Sequence, residues 1–472
     1  MKKKIFFTFL TVFFTTGCLA VPKTEFAKIT KPNDIITEMK EKNPLVFENE
    51  KWWTVYKDTS LNSLINLILS ENKDLKIAEL NTEKSLEAVN LTEAQGGLHI
   101  DFEGNFKRER ETENGTVPKI LVKKLFNIST LGLQAGYNVD IFNKFKNLSQ
   151  EQKYRAEGVK INSKWIELSI SDKTAKLYVY WKYLQEEEKN LEEQKEILSE
   201  IKTLTRKSIK IGTGTEENLR NAENNIRLLN SLIDENKMNQ HITLNTLNLL
   251  AGNSHMEDIK NILAENKNSM ENIFKDKVKI PEKINSDIIA ERPDVKYYLM
   301  MIEAQKEHLK AAKADFYPQF SINGSYGFEA VNFNNLIKKG SLLGFIGPSI
   351  YLPIFHEGSI RSNYKIAGMN VNIFIEEYNK AVINAYNDID NELYKTKTLK
   401  KSLENSEKNL LNNRKTLDEN KTKLNIGTVS KYDYLLKKYN FTNSSLEDKQ
   451  THFKFYVQQI NLINSIGRAY KE

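Results

Sequence analysis

The sequence predicts a mainly α-helical protomer with a transmembrane β part, built by tandem duplication so that each half supplies a long helical hairpin and two of four β-strands. Three observations predict it. Apolar residues recur every seven positions at Ile170, Leu177, Leu184, Leu191 and Leu198, and again at Leu403, Leu410, Leu417 and Leu424. Each run ends on the same tripeptide, Ile211-Gly212-Thr213 and Ile426-Gly427-Thr428. Upstream of each run, apolar and polar residues alternate with period two.

Strict seven-residue spacing places a seam on one helix face that must pack against another helix. No proline interrupts the chain after His356, and the 71 residues from there to Ile426 would extend ~107 Å as one helix at about 1.5 Å per residue. The alternation is clearest at Leu98, Ile100, Phe102, Gly104 and Phe106, at Leu131, Leu133, Ala135, Tyr137 and Val139, and at Phe320, Ile322, Gly324, Tyr326 and Phe328. Leu342 to Leu352 is apolar on both parities.

The 472 residues are 40% hydrophobic, mean hydropathy is −0.54, and no apolar run approaches the ~20 residues of a membrane helix. The formal charge of +7 falls to +4 without Lys2, Lys3 and Lys4. Both signs interleave along the helical stretches, which describes a solvated surface and not a nucleic-acid partner. Three lysines, an apolar core from Ile5 to Phe14 and small residues after it read as an export signal over residues 1–17. Gly17-Cys18 resembles a bacterial lipobox, which makes Cys18 the expected lipidation site. Thr15 departs from the aliphatic residue usual there, and a cut after Ala20 would discard the cysteine. Cys18 is the only cysteine, so disulfides and cysteine catalysis are excluded from the mature chain.

In chain order, residues 18–59 carry Pro22, Pro32 and Pro44 and read as an extended arm. The first repeat covers 60–251: a helical pattern from Ser60 to about Ala94, strands at about 97–109 and 128–141, and a hairpin with its tip at Gly212. An irregular connector follows over 252–286. The second repeat covers 287–472, with strands at about 318–330 and 342–353 and a tip at Gly427. Glu71, Asp74 and Lys76 fall opposite Glu291, Asp294 and Lys296 at an offset of 220.

Four strands cannot close a barrel, and bilayer hydrocarbon does not tolerate open sheet edges. Several copies must therefore share one barrel, and a homotrimer gives twelve strands. Phe316, Tyr317, Tyr137, Phe142, Tyr351 and Phe355 gather near the strand ends as interfacial aromatics do. The narrow helical seams suit a cylinder of paired helices around polar space.

Several motifs then fall in order: Trp52-Trp53, Leu61, Asn72-x-Asp74-Leu75, Arg292-Pro293-Asp294-Val295, Ala311-Ala312 through Tyr317-Pro318 to Gly324, and Gly347-Pro348 with Leu352-Pro353-Ile354-Phe355. With the two glycine tips, they make the chain resemble the TolC-like outer-membrane efflux proteins, and within them the NodT-type lipoproteins. The resemblance implies a homotrimer whose twelve-stranded barrel crosses the outer membrane and continues as a periplasmic α-helical barrel. It implies docking on a periplasmic adaptor protein and an inner-membrane pump, contact with outer-membrane lipid, and passive export of drugs or other small toxic solutes. By the same resemblance, Gly212, Thr213, Gly427 and Thr428 meet the adaptor, and Asp433 belongs to a periplasmic gate. Leu436 departs from the acidic pattern of that gate, and Asn218 stands at the matching place in the first half. Alternatives are a duct for secreted polypeptides or a coiled-coil lipoprotein without a pore.

No enzyme is expected, and no cofactor or metal. The six histidines form no pair at helical ligand spacing, and Gly212-Thr213-Gly214 lacks the Gly-Lys-Ser/Thr ending of a phosphate loop.

Overall fold

The computed structural model describes residues 21–32, 51–110, 112, 114, 125–275, 277–278, 280–281 and 287–467. The export signal and Cys18 lie outside the described residues. No described helix is long and apolar enough to cross a membrane. The chain divides into two compact units, one holding Asn81–Val159 and Tyr297–Tyr378 with the first residues, the other Thr30–Leu80, Lys160–Lys296 and Asn379–Glu472.

The first unit contains a four-stranded antiparallel sheet. Strands β1 (Leu98–Glu109), β2 (Phe126–Val139), β3 (Gln319–Ala330) and β4 (Leu342–Tyr351) lie in the order β1-β2-β3-β4. Directly opposed residues share a face. Phe102, Leu133 and Tyr326 are in register, as are Leu98, Tyr137 and Ile322, so the apolar parity of three strands forms one continuous face. Asp101, Gln134 and Ser325 are opposed on the other, where Gln134 Nε2 donates to Glu103 Oε2 at 3.1 Å. Strand β4 differs, because Leu343 and Phe345 stand opposite Gly327 and Ser325 on the polar face. Between β2 and β3, Gly132 pairs with Gly327. A Cβ at Gly132 would stand 2.8 Å from both the Gly327 Cα and the Tyr326 carbonyl oxygen, so this closest approach of two backbones requires glycine. Both outer strands, β1 and β4, keep one edge unpaired in the sheet.

One helical pattern is expected from Ser60 to Ala94; the structure corrects it to two helices, α1 (Thr59–Glu71) and α2 (Lys73–Gln95). Asn72 makes the break. Its Oδ1 accepts from Leu75 N at 3.0 Å as the cap of α2, and its Nδ2 donates to Leu250 O at 2.8 Å. Ahead of α1, Trp52–Tyr56 forms a 3-10 turn with both tryptophans buried, not an extended arm. Before it, the extended segment is held by asparagines. The amide of Asn372 donates to Glu25 O at 3.0 Å and accepts from Ala27 N at 2.9 Å, and Asn379 accepts from Thr30 N at 2.8 Å.

The hairpins are α3 (Lys144–Lys210) with α4 (Glu216–Leu250), and, after α5 (Met256–Glu265), α6 (Met270–Phe274), α7 (Asp287–Glu291) and α8 (Pro293–Ala314), α9 (Ser359–Asn425) with α10 (Lys431–Ser465). The two copies match without a gap: α3 and α9 have 67 residues each, and α4 and α10 have 35. The connector expected to be irregular instead contains α5 and α6. Ile259 and Leu263, four apart, and Met270, Ile273 and Phe274 bury an apolar face, and that tertiary burial makes short helices stable.

In the second unit, helices pair in the sequence α4, α3, α10, α9. Leu191, Leu198 and Ile201 of α3 pack with Leu229 and Ile233 of α4 and with Leu435 of α10. Each such buried leucine contributes about 1.5–3 kcal/mol relative to exposure. Lys202 pairs with Glu223 at 3.0 Å between α3 and α4. Lys431, Lys438 and Lys449 of α10 pair with Glu200, Glu193 and Glu186 of α3. Gln458 of α10 donates to Glu392 O of α9 at 3.2 Å, and Asn413 of α9 to Ser444 Oγ of α10 at 2.6 Å.

Candidate functional site at the helical tips

Both hairpins turn in the same way. At the end of α3, Gly212 has φ +76° and Thr213 N donates to Ser208 O at 2.9 Å; at the end of α9, Gly427 has φ +76° and Thr428 N donates to Lys423 O at 2.9 Å. Gly212 N and Gly427 N reach Ile209 O and Leu424 O, each at 3.0 Å. This is the Schellman arrangement, and its left-handed residue is glycine because a Cβ is disfavoured there. Nothing lies within 4 Å of a Cβ built on either glycine, so the requirement is conformational and not spatial.

The return helices start with matched caps. Thr215 Oγ1 accepts from Asn218 N at 3.3 Å, and Ser430 Oγ accepts from Asp433 N at 3.1 Å. Asn218 and Asp433 therefore hold the same third helical position. The pairs diverge in charge: Ser430 Oγ also donates to Asp433 Oδ2 at 2.6 Å, whereas the first tip carries Glu216 and Glu217 in its first turn. A carboxylate in the first turn is stabilised by the unpaired N–H groups and the helix dipole. Asp433 thus has a structural role in its own chain, and its carboxylate is still exposed at the surface.

Gly212, Thr213, Gly427 and Thr428 are all exposed. The structure adds two residues that sequence reasoning left without a role. Ile211 is 75% exposed and Ile426 is 68% exposed, each immediately before its glycine. Their signal was present in the matched tripeptides. The turn leaves each with no neighbour to cover it, so both tips offer an apolar side chain beside bare backbone. Among the described residues the one grouping of metal-type ligands, Glu271, Glu407 and His452, includes no tip residue.

The profile of the family described as "Outer membrane efflux protein" matches residues 64–253 and 284–467. The multidrug resistance outer membrane protein MdtP of Shigella flexneri is 24% identical over 349 residues, covering 72% of this chain and 70% of that one. The multidrug resistance outer membrane protein MdtQ of Escherichia coli O157:H7 is 25% identical over 375 residues, covering 74% and 73%. Among solved structures, the Campylobacter jejuni CmeC outer membrane channel aligns with TM-score 0.76 at 23% identity over 96% of this chain and 95% of that one. The outer membrane protein VceC of Vibrio cholerae aligns with TM-score 0.76 at 17% identity over 90% and 100%. At these identities the solved structures establish the fold. The two profile matches cover both repeats from α1 to the end of α10, and on that ground the chain belongs to the outer membrane efflux protein family.

Proposed function

We propose that three copies of this chain form a passive exit duct in the outer membrane, supplied by a periplasmic adaptor and an inner-membrane pump. The observation that carries this reading is that sheet and helical layer are both open at their two ends. Strands β1 and β4 leave unpaired edges with an apolar face, which a bilayer accepts only once other strands close the sheet. In the helical layer, α4 keeps Leu228, Leu232, Ile242 and Leu249 exposed, a second seam about 100° round the helix from the one it packs on α3. Helix α9 ends the layer on the other side with Leu410, Leu417 and Leu424 only half-buried. The α4 seam of one copy fits the α9 face of the next, and three repeats of that contact give twelve strands.

The multidrug names of the relatives support drugs or other small toxic solutes as cargo. They give no support to a polypeptide duct or to a rod without a pore. The tips, with Ile211, Gly212 and Thr213 on one and Ile426, Gly427 and Thr428 on the other, are the proposed adaptor contacts. Three Asp433 carboxylates brought near a common axis would attract cations at the closed end. Cys18 is the proposed lipid anchor, and the mass of the mature amino-terminal peptide tests it: a diacylglycerol-bearing Cys18 supports the anchor, and a chain beginning at Val21 rules it out. Export is tested by deleting the gene and measuring retention of a toxic fluorescent dye. Retention rises and is restored by the wild-type chain but not by the Gly212→Val/Gly427→Val double variant; unchanged retention after deletion contradicts the duct.

A further inference from the structure

Helices α9 and α10 and the segment that follows α6 line an open cavity of about 530 Å³ whose wall holds Lys275, Glu407, His452, Tyr456 and Gln459. The polar groups there come from three separate segments. His452 is 3% exposed. Its Nε2 lies 3.4 Å from Asp448 Oδ2 and 3.8 Å from Glu407 Oε1, and its Nδ1 lies 3.1 Å from the Tyr456 hydroxyl. The ring donates from Nε2 to Asp448, and a metal ion at Nε2 would take the place of that proton with Nδ1–H turned to the Tyr456 hydroxyl. Lys275 supplies one positive charge, bridging Glu271 at 2.7 Å and Glu407 at 3.4 Å. Lys400 and Glu404 on the same wall offset each other. Three carboxylates, Glu271, Glu407 and Asp448, stand against one lysine around the His452 ring.

Two further oxygens are unsatisfied. Asp448 Oδ1 and Gln459 Oε1, on side chains 6% and 3% exposed, have no hydrogen-bond partner among the described residues. A buried acceptor without a donor is costly, and a bound ion with its water ligands would satisfy both.

We propose that Glu271, Glu407 and His452 form a binding site for a divalent transition-metal ion of the zinc type. Their ligand atoms already lie within 4.8 Å of one another, and bonds of about 2.0–2.2 Å to carboxylate oxygen and imidazole nitrogen require them to draw closer around the ion. Imidazole with carboxylates suits zinc and cobalt. Tyr456 fixes the ring as an outer partner, and Lys275 is the internal cation that the metal displaces. The ion would tie α6, which belongs to the connector between the repeats, to both helices of the second hairpin. In sequence the only trace is Asp448-x-x-x-His452, one helical turn apart; the two glutamates are 136 residues from each other and become neighbours only in the fold.

The test uses the full chain, without a histidine tag, purified in detergent, stripped with chelator and titrated with cobalt(II) while visible absorption is followed. One equivalent per chain is expected to bind and to be displaced by zinc. Glu407→Gln should abolish the signal, Tyr456→Phe should weaken binding about tenfold as outer partners do, and Lys275→Met should tighten it. Glu407 is half-exposed, so its substitution leaves the fold intact, and a thermal melt of the same sample confirms this. Absence of saturable binding at millimolar cobalt, or binding by Glu407→Gln equal to wild type, overturns the site.

Discussion

The two hairpins are the same object twice, yet they are not partnered alike. From Lys182 to Lys210, α3 carries seven acidic and seven basic residues; the matching stretch of α9, Lys397 to Asn425, carries four acidic and eight basic. The acids of α3 are used, since Glu186, Glu193 and Glu200 receive the lysines of α10. Over this stretch helix α3 lies between two long helices of its own chain, α4 and α10, whereas α9 has one long helical partner, α10, beside the Lys275 contact to Glu407. Two helices of one length and one tip geometry therefore differ in what the chain leaves them to face. Balanced charge and buried leucines mark the inner stave, while surplus lysine and half-buried leucines mark the edge. In the proposed duct, that edge is where the next copy packs.

The largest effect is expected from breaking that edge. Leu228→Glu together with Ile242→Glu removes the exposed seam of α4 without touching the face packed on α3. Native mass measurement in detergent should show loss of trimer with helical content retained. Charging two inner residues, Leu229 and Ile233, should instead unfold the hairpin, since burying unpaired charge is among the few substitutions costing more than about 4 kcal/mol.

A middle-sized effect is expected at the tips. Valine at Gly427 or at Gly212 places a β-branched residue in the left-handed region and should cost about 1–2 kcal/mol in each case. Because the two turns are geometrically equal, the two losses in chemical-denaturation stability should agree. Any difference between the variants in dye export then reports the unequal use of the two tips and not unequal folding.

A smaller effect, in the unit that holds the sheet, is pH-dependent. His308 on α8 contacts Glu151 on α3 at 2.8 Å. The hydrogen bond to Glu151, outweighing burial, raises His308 above its usual value. Burial pushes Glu151 up, but bonds from His308 and Arg155 outweigh it and leave this carboxyl lowered. The raised histidine contributes stability that is present below about pH 6.5 and lost as pH rises through its folded value. The lowered carboxylate contributes above about pH 4.5 and loses it as pH falls. The pair is therefore worth most near pH 5–6, about 1 kcal/mol after allowing for the exposure of His308. His308→Ala should lower the melting temperature at pH 5.5 and leave it nearly unchanged at pH 9.

The smallest effect separates Asp433 from Asn218. Asp433→Asn keeps the side-chain size at the first turn and removes one charge per copy, so it should raise single-channel conductance and weaken block by divalent cations. Asn218→Ala should change neither. Equal behaviour of the two variants would reduce Asp433 to its capping contact with Ser430.

Most of the fold was legible because periodicity carries it. The seven-residue runs, the strand parity and the repeated Ile-Gly-Thr are local signals, and each element they mark is long. Short elements stabilised by distant contacts were not. The break at Asn72 depends on the Leu250 carbonyl, α5 and α6 depend on the surfaces that bury Ile259 and Phe274, and the turn at Trp52 depends on a bond from Trp52 Nε1 to Ser171. The tips were legible as turns, but the exposure of Ile211 and Ile426 was not, since it is set by what the rest of the chain leaves uncovered. The grouping of Glu271, Glu407 and His452 joins three segments with no shared motif.

The central claim is that the open ends of this protomer close on other copies around a water-filled passage. It is tested most directly by recording ion currents across planar bilayers from the detergent-purified full chain, with its mass measured in the same preparation. The account predicts a particle of three chains that inserts and gives discrete conductance steps, both lost together in the Leu228→Glu/Ile242→Glu variant. A particle of one chain that gives no current would contradict it.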